Sequence, residues 1–127
     1  MKLRINGNSL RFRVSRSDLA RLLETGVLEE TLYFGREEGA ELTYVLARDS
    51  SRRAIDVESS PKRVAVILPG EAVRAWSATE QVGISAEVDL GVRGSLSVLV
   101  EKDFACLDGS AEPNADTFTN PNAAHVC

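Results

Sequence analysis

Three side chains of metal-ligating type lie in the last stretch of the chain: Cys106, His125 and Cys127. Thiolate and imidazole suit zinc, and Asp108 or Asp116 would complete a set of four ligands if the segment folds back. The spacing matches no established zinc motif. The same two thiols would otherwise stay unlinked, or close a disulfide that a cytosolic setting disfavours. A second set is cationic. Lys2, Arg4, Arg11 and Arg13 alternate with apolar residues, which places four positive charges on one face of a hairpin, an arrangement suited to phosphate contact. The plainer reading of such a row is the solvated side of an antiparallel sheet. Catalysis has little to stand on: the single histidine lies near the end, no glycine-rich phosphate loop follows a strand, and no Ser or Cys sits in a nucleophile motif. The acidic pairs Glu29-Glu30 and Glu37-Glu38 are neighbours whose side chains diverge, so they read as solubilising charge. The residue inventory is that of a protein that is not an enzyme.

Charge narrows the choice. The chain carries a net charge of -4 over 127 residues, which argues against a protein that coats nucleic acid. Its sign is uneven, because Lys2, Arg4, Arg11, Arg13, Arg16 and Arg21 meet only Asp18 in the first 21 residues, a local excess of +5. The length is that of one domain, 1–127, and no apolar run approaches the roughly 18 residues of a membrane span. The N-terminal stretch lacks the uninterrupted apolar core of a secretion signal, so a cytoplasmic home and no membrane association are expected.

The elements that must position these residues are legible from period and punctuation. Asn6-Gly7-Asn8-Ser9 between Lys2–Ile5 and Leu10–Val14 predicts an opening hairpin, with Leu10, Phe12 and Val14 on one face and the arginines on the other. Ser15 is placed to cap a helix, Asp18 to support its first turn and Gly26 to end it, with Leu19, Leu22 and Leu23 facing the core. Val27–Phe34 and Glu41–Arg48 then form a second hairpin, so that residues 1–49 read ββαββ.

After a polar linker the order repeats over 55–103: Ile55–Glu58, Arg63–Leu68, a helix with Pro69 in its first position, Val82–Val88 and Ser95–Glu101. Leu10–Leu23 aligns over Arg63–Trp76 at an offset of 53, and Leu42–Leu46 over Leu96–Val100 at 54, one inserted residue reconciling them. On this alignment Trp76 replaces Leu23, and the counterparts of Lys2, Arg4, Arg11 and Arg13 are Ile55, Val57, Val64 and Val66. The unbroken apolar run Val64–Leu68 predicts a strand covered on both faces. Residues 104–127 form an irregular tail, in which Phe118 and Val126 are the apolar anchors expected to dock on that strand and bring Cys106 and Cys127 together.

Gly7-Asn8-Ser9 matches the turn, and Ile67-Leu68-Pro69 resembles the strand end before the helix, in the AbrB/MazE swapped-hairpin family; Asn6 stands where its antitoxins usually carry an aromatic residue. The resemblance implies an α+β, mainly-β fold in which two ββαββ halves interlace as an intramolecular pseudo-dimer. It also implies an antitoxin-like, DNA-binding role. With GNSLR at 7–11, EKDFAC at 101–106 and Asn120-Pro121-Asn122, the whole chain also resembles a short uncharacterised bacterial family. The expected function is a non-catalytic binding or regulatory module, binding nucleic acid weakly through its basic first half or engaging a protein partner, as a monomer or homodimer. The alternative is a small zinc protein whose site the Cys/His tail builds; no other cofactor is called for.

Overall fold

The computed structural model describes residues 1–104, 116 and 118. Among them the order is β1 (Lys2–Ile5), β2 (Ser9–Val14), α1 (Arg16–Thr25), β3 (Val27–Tyr33), β4 (Glu41–Asp49), β5 (Asp56–Ser60), β6 (Arg63–Pro69), α2 (Gly70–Ala78), β7 (Gly83–Asp89) and β8 (Ser95–Lys102), with a short 3-10 turn at Gly91–Arg93. The protein is α+β and mainly β. Its strands form two four-stranded sheets, β1-β2-β8-β7 and β3-β4-β6-β5.

Local chemistry explains the boundaries. Gly7 takes a positive φ of 57°, which allows Asn6 and Ser9 to exchange backbone hydrogen bonds across the first turn. The Ser15 hydroxyl accepts from the Asp18 N–H while the Asp18 carboxylate accepts from the Ser15 N–H, a complete capping box for α1. Gly26, left-handed at φ 84°, ends that helix. Pro69 precedes α2 as its cap residue, one place earlier than expected, and Gly70 opens the helix.

The sheets are built by exchange. β2 pairs in parallel with β8, and β4 in parallel with β6, so each sheet joins a hairpin from before residue 50 to one from after it. Swapping β1-β2-α1-β3-β4 for β5-β6-α2-β7-β8 turns the strand order of one sheet into that of the other. Under that exchange the strand registers correspond at a single offset. Leu10 opposite Val98 corresponds to Val64 opposite Tyr44, and Leu3 opposite Phe12 to Val57 opposite Val66, an offset of 54 throughout. The offset of 53 is therefore corrected, and no insertion precedes the helix. Instead, four residues follow α2 where one follows α1, and the β7–β8 connection is two residues shorter than the β3–β4 one.

The buried helix positions follow the same offset. Leu19 and Leu22 on α1 are buried, and so are Val73 and Trp76 on α2, again 54 apart, whereas Leu23 is 39% exposed and Ala75 is exposed. Trp76 thus replaces Leu22, not Leu23. Its ring is fully buried and its Nε1 donates to the Val82 carbonyl at 3.0 Å, which satisfies the indole's one polar group. The main core joins the inner faces of both sheets through Phe12, Val14, Leu46, Val66, Leu68, Val98 and Val100. β6 is buried from Ala65 to Pro69: Val66 and Leu68 enter the main core, while Ala65 and Ile67 join Val45 in a second cluster on the other face.

Candidate functional site

The four sequence-predicted cations do share one sheet face. Lys2 lies opposite Arg13 and Arg4 opposite Arg11, and the inward burial of Phe12 and Val14 turns Arg11 and Arg13 to the outer surface. β8 runs beside them and changes their electrostatics. Its Glu101 Oε1 accepts from Arg11 Nε at 2.6 Å and from Arg13 Nε at 3.0 Å, and Lys2 Nζ pairs with the Asp103 carboxylate at 3.0 Å. Arg4 makes no ion pair among the described residues. Three of the four cations therefore meet two carboxylates, and the β1–β2 edge of the face keeps an excess of positive charge with the Arg11 and Arg13 guanidiniums oriented.

The remainder of this face is graded. Next to Arg11 lies an open depression of about 490 Å³ lined by Ser9, Ser85, Ser97, Leu99 and Glu87. Glu87 accepts hydrogen bonds from the hydroxyls of Ser95 and Ser97. The charge thus passes from positive at β1–β2, through a serine strip, to negative at β7.

The equivalent face of the second sheet carries opposite chemistry. At the offset of 54, Lys2 and Arg4 correspond to Asp56 and Glu58, and Arg11 and Arg13 to Ala65 and Ile67. The counterparts expected from sequence, Ile55, Val57, Val64 and Val66, are displaced by one position, which in a strand is a change of face. Arg52 bridges Asp49, Asp56 and Glu58, and Arg63 pairs with Glu29. Only the first sheet carries a basic patch, on β1 and β2.

The expected zinc ligands Cys106, His125 and Cys127 lie outside the described residues, as does Val126. Among the described residues no group of three His, Cys, Asp or Glu side chains is placed to hold a metal ion. Two points of the tail are described. Asp116 accepts from the Ser17 N–H at 2.8 Å and from its hydroxyl at 2.6 Å, while its carbonyl accepts from Arg16 N–H. The hydrogen bonds to Ser17 hold the Asp116 carboxyl below the usual range. Phe118 forms a bridge with Phe104, stacks edge-on against its ring, and lies 5.4 Å beneath the Lys102 ammonium. Phe118 is thus an anchor, and the contacts that hold it are at the end of β8.

The burial of two charged groups, Lys102 at the end of β8 and Asp18 in the first turn of α1, was not expected from the sequence. Lys102 is buried, and desolvation pushes its pKa down; its ammonium donates to the Thr79 carbonyl at 2.8 Å. Asp18 is buried too. Burial alone would raise its pKa, but hydrogen bonds from the Met1 α-ammonium, 2.7 Å away, and from Ser15 outweigh it and hold the carboxyl below its ordinary value.

Fold and surface together define a small two-sheet α+β protein with a cationic patch on β1 and β2 at one edge of a sheet face. The chain belongs to the family of unknown function DUF7009, whose model matches residues 1–122. No curated protein and no solved structure matches it.

Proposed function

We propose that the protein is a non-catalytic binding or regulatory module, a swapped-hairpin pseudo-dimer within one chain, that contacts nucleic acid through the outer face of β1, β2 and β8. The strand order that survives exchange of the two halves supports the tandem ββαββ, AbrB/MazE-like part of this reading. The observation that carries the binding part is the clustering of Lys2, Arg4, Arg11 and Arg13 at the β1–β2 edge of one sheet face, where Glu101 and Asp103 are the carboxylates that pair with them. Phosphates compete with carboxylates for the same guanidinium donors. Because the second sheet has Asp56 and Glu58 in the equivalent places, the contact is one-sided, non-palindromic and weak.

Titration of duplex DNA at a series of salt concentrations tests this. Affinity should fall with salt, and each of Arg4→Ala and Arg13→Ala should reduce the slope by about one. Glu101→Gln should tighten binding, since it releases two guanidinium groups. Tight sequence-specific binding that ignores Arg11→Ala and Arg13→Ala would overturn the proposal, as would the absence of any salt dependence. An antitoxin-like role is the regulatory form of the same reading.

A further inference from the structure

The β3–β4 hairpin ends in three consecutive exposed apolar residues, Leu32 at 52%, Tyr33 at 72% and Phe34 at 65%. β6 begins its pairing with β4 at Thr43, so Glu41 and Leu42 have only β3 beside them and the hairpin tip projects past its sheet. The β7–β8 hairpin closes with the shorter turn Leu90–Gly94, and Val88 and Asp89 stand where Leu32 and Tyr33 do. The shorter turn exposes Leu90 and Val92 but no aromatic ring, whereas Tyr33 and Phe34 place two adjacent rings in water at an apolar hydration cost.

The surroundings select the partner. Near the tip Arg63 pairs with Glu29 and the Lys62 ammonium lies beside Gly39, which leaves Glu30, Glu37, Glu38 and Glu41 against Arg36 and Lys62, an acidic excess. A polyanion is repelled there. β3 is also an edge strand of its sheet, open along its outer side among the described residues. We infer that this tip is a docking surface for an extended, basic and apolar segment of another protein, its apolar side chains on Leu32, Tyr33 and Phe34 and its cations on the flanking carboxylates. This surface is independent of the basic face of the other sheet and of the nucleic-acid reading.

The test uses the full chain and two labelled synthetic peptides, one alternating lysine with leucine and one alternating glutamate with leucine, in fluorescence anisotropy. The lysine peptide should bind at least about tenfold more tightly than the glutamate peptide. Tyr33→Ser with Phe34→Ser should weaken it by about tenfold or more while leaving the thermal unfolding midpoint unchanged, since both rings are exposed. Glu37→Gln with Glu38→Gln should weaken it and flatten its salt dependence. Equal binding of the two peptides, or binding that survives both double variants, would overturn the inference. So would a concentration-dependent dimer of the protein alone that Tyr33→Ser with Phe34→Ser abolishes, which would assign the tip to a second copy. Co-sedimentation with phosphatidylcholine vesicles that depends on the same rings would assign it to lipid and equally overturn it.

Discussion

Asp18 ties three things together: the cap of α1, the start of the chain through Met1, and the Ser15 hydroxyl. Its folded pKa is depressed, so the stabilisation it provides is fully present above the ordinary carboxylate value and disappears as pH falls through the depressed one. Asp18→Asn should therefore cost about 1–2 kcal/mol at neutral pH. The deficit should shrink towards zero in acid, which urea unfolding of both proteins across an acidic series would reveal. The capping box itself was legible, because Ser15 and Asp18 have the spacing a helix start demands. The ion pair with the α-ammonium was not, since nothing in a local window says where the first residue will lie. The same limit applies to Glu101, which lies about ninety residues from the arginines it orients.

At the scale of elements, both helices are closed by a cation from the last strand of their own half. Arg48 on β4 donates to the carbonyls of Leu22 and Leu23 at the end of α1, and Lys102 on β8 donates to Thr79 just past α2. These two residues are again 54 apart. The arginine makes two such bonds from a half-exposed site, while the lysine makes one from a buried site that disfavours its charge. Arg48→Met should therefore destabilise by about 1–2 kcal/mol in denaturant unfolding, and Lys102→Met by less. For the lysine the sign of the pH effect is fixed. The unfolded chain holds that proton more tightly, so the wild type should gain on Lys102→Met as pH rises towards the ordinary lysine value. Hairpins and helices were readable because Asn-Gly, Ser-x-x-Asp and Gly26 punctuate them. The register slip arose because Leu23 and Trp76 share a helical stripe with their true neighbours, and a large apolar residue one place off fits the pattern equally well.

For the whole molecule, the tail decides between the two functional readings. Asp116 and Phe118 fasten it to α1 and to the end of β8, whereas Cys106, His125 and Cys127 carry the chemistry of the zinc alternative. Protein purified without chelator should contain about one zinc per chain, and lose stability on chelation, if the tail builds a site. Two freely titrating thiols in metal-free native protein would rule out both zinc and a disulfide. That only one half is cationic was legible in the sequence, but the acidic character of its counterparts was hidden for a physical reason. Which strand neighbours which is set by long-range exchange, so the Asp56 and Glu58 that oppose Lys2 and Arg4 in the fold emerge only once the register is known.

The exchange of hairpins also governs the order of events during synthesis. β1 and β2 wait for β8, and β4 waits for β6, so neither sheet can be completed by residues 1–49 alone. A nascent chain leaves the ribosome with the inner edge of the β3–β4 hairpin unsatisfied until Pro69 has emerged and that of the β1–β2 hairpin until Lys102 has, and its longest-range pairing, β2 with β8, is parallel and among the last to become available. During that interval a neighbouring nascent copy offers the same strands as the chain's own second half. Tethering both halves in one polypeptide makes the correct partner the locally concentrated one, so the covalent link acts as protection against intermolecular exchange at the stage when the protein is most vulnerable to it.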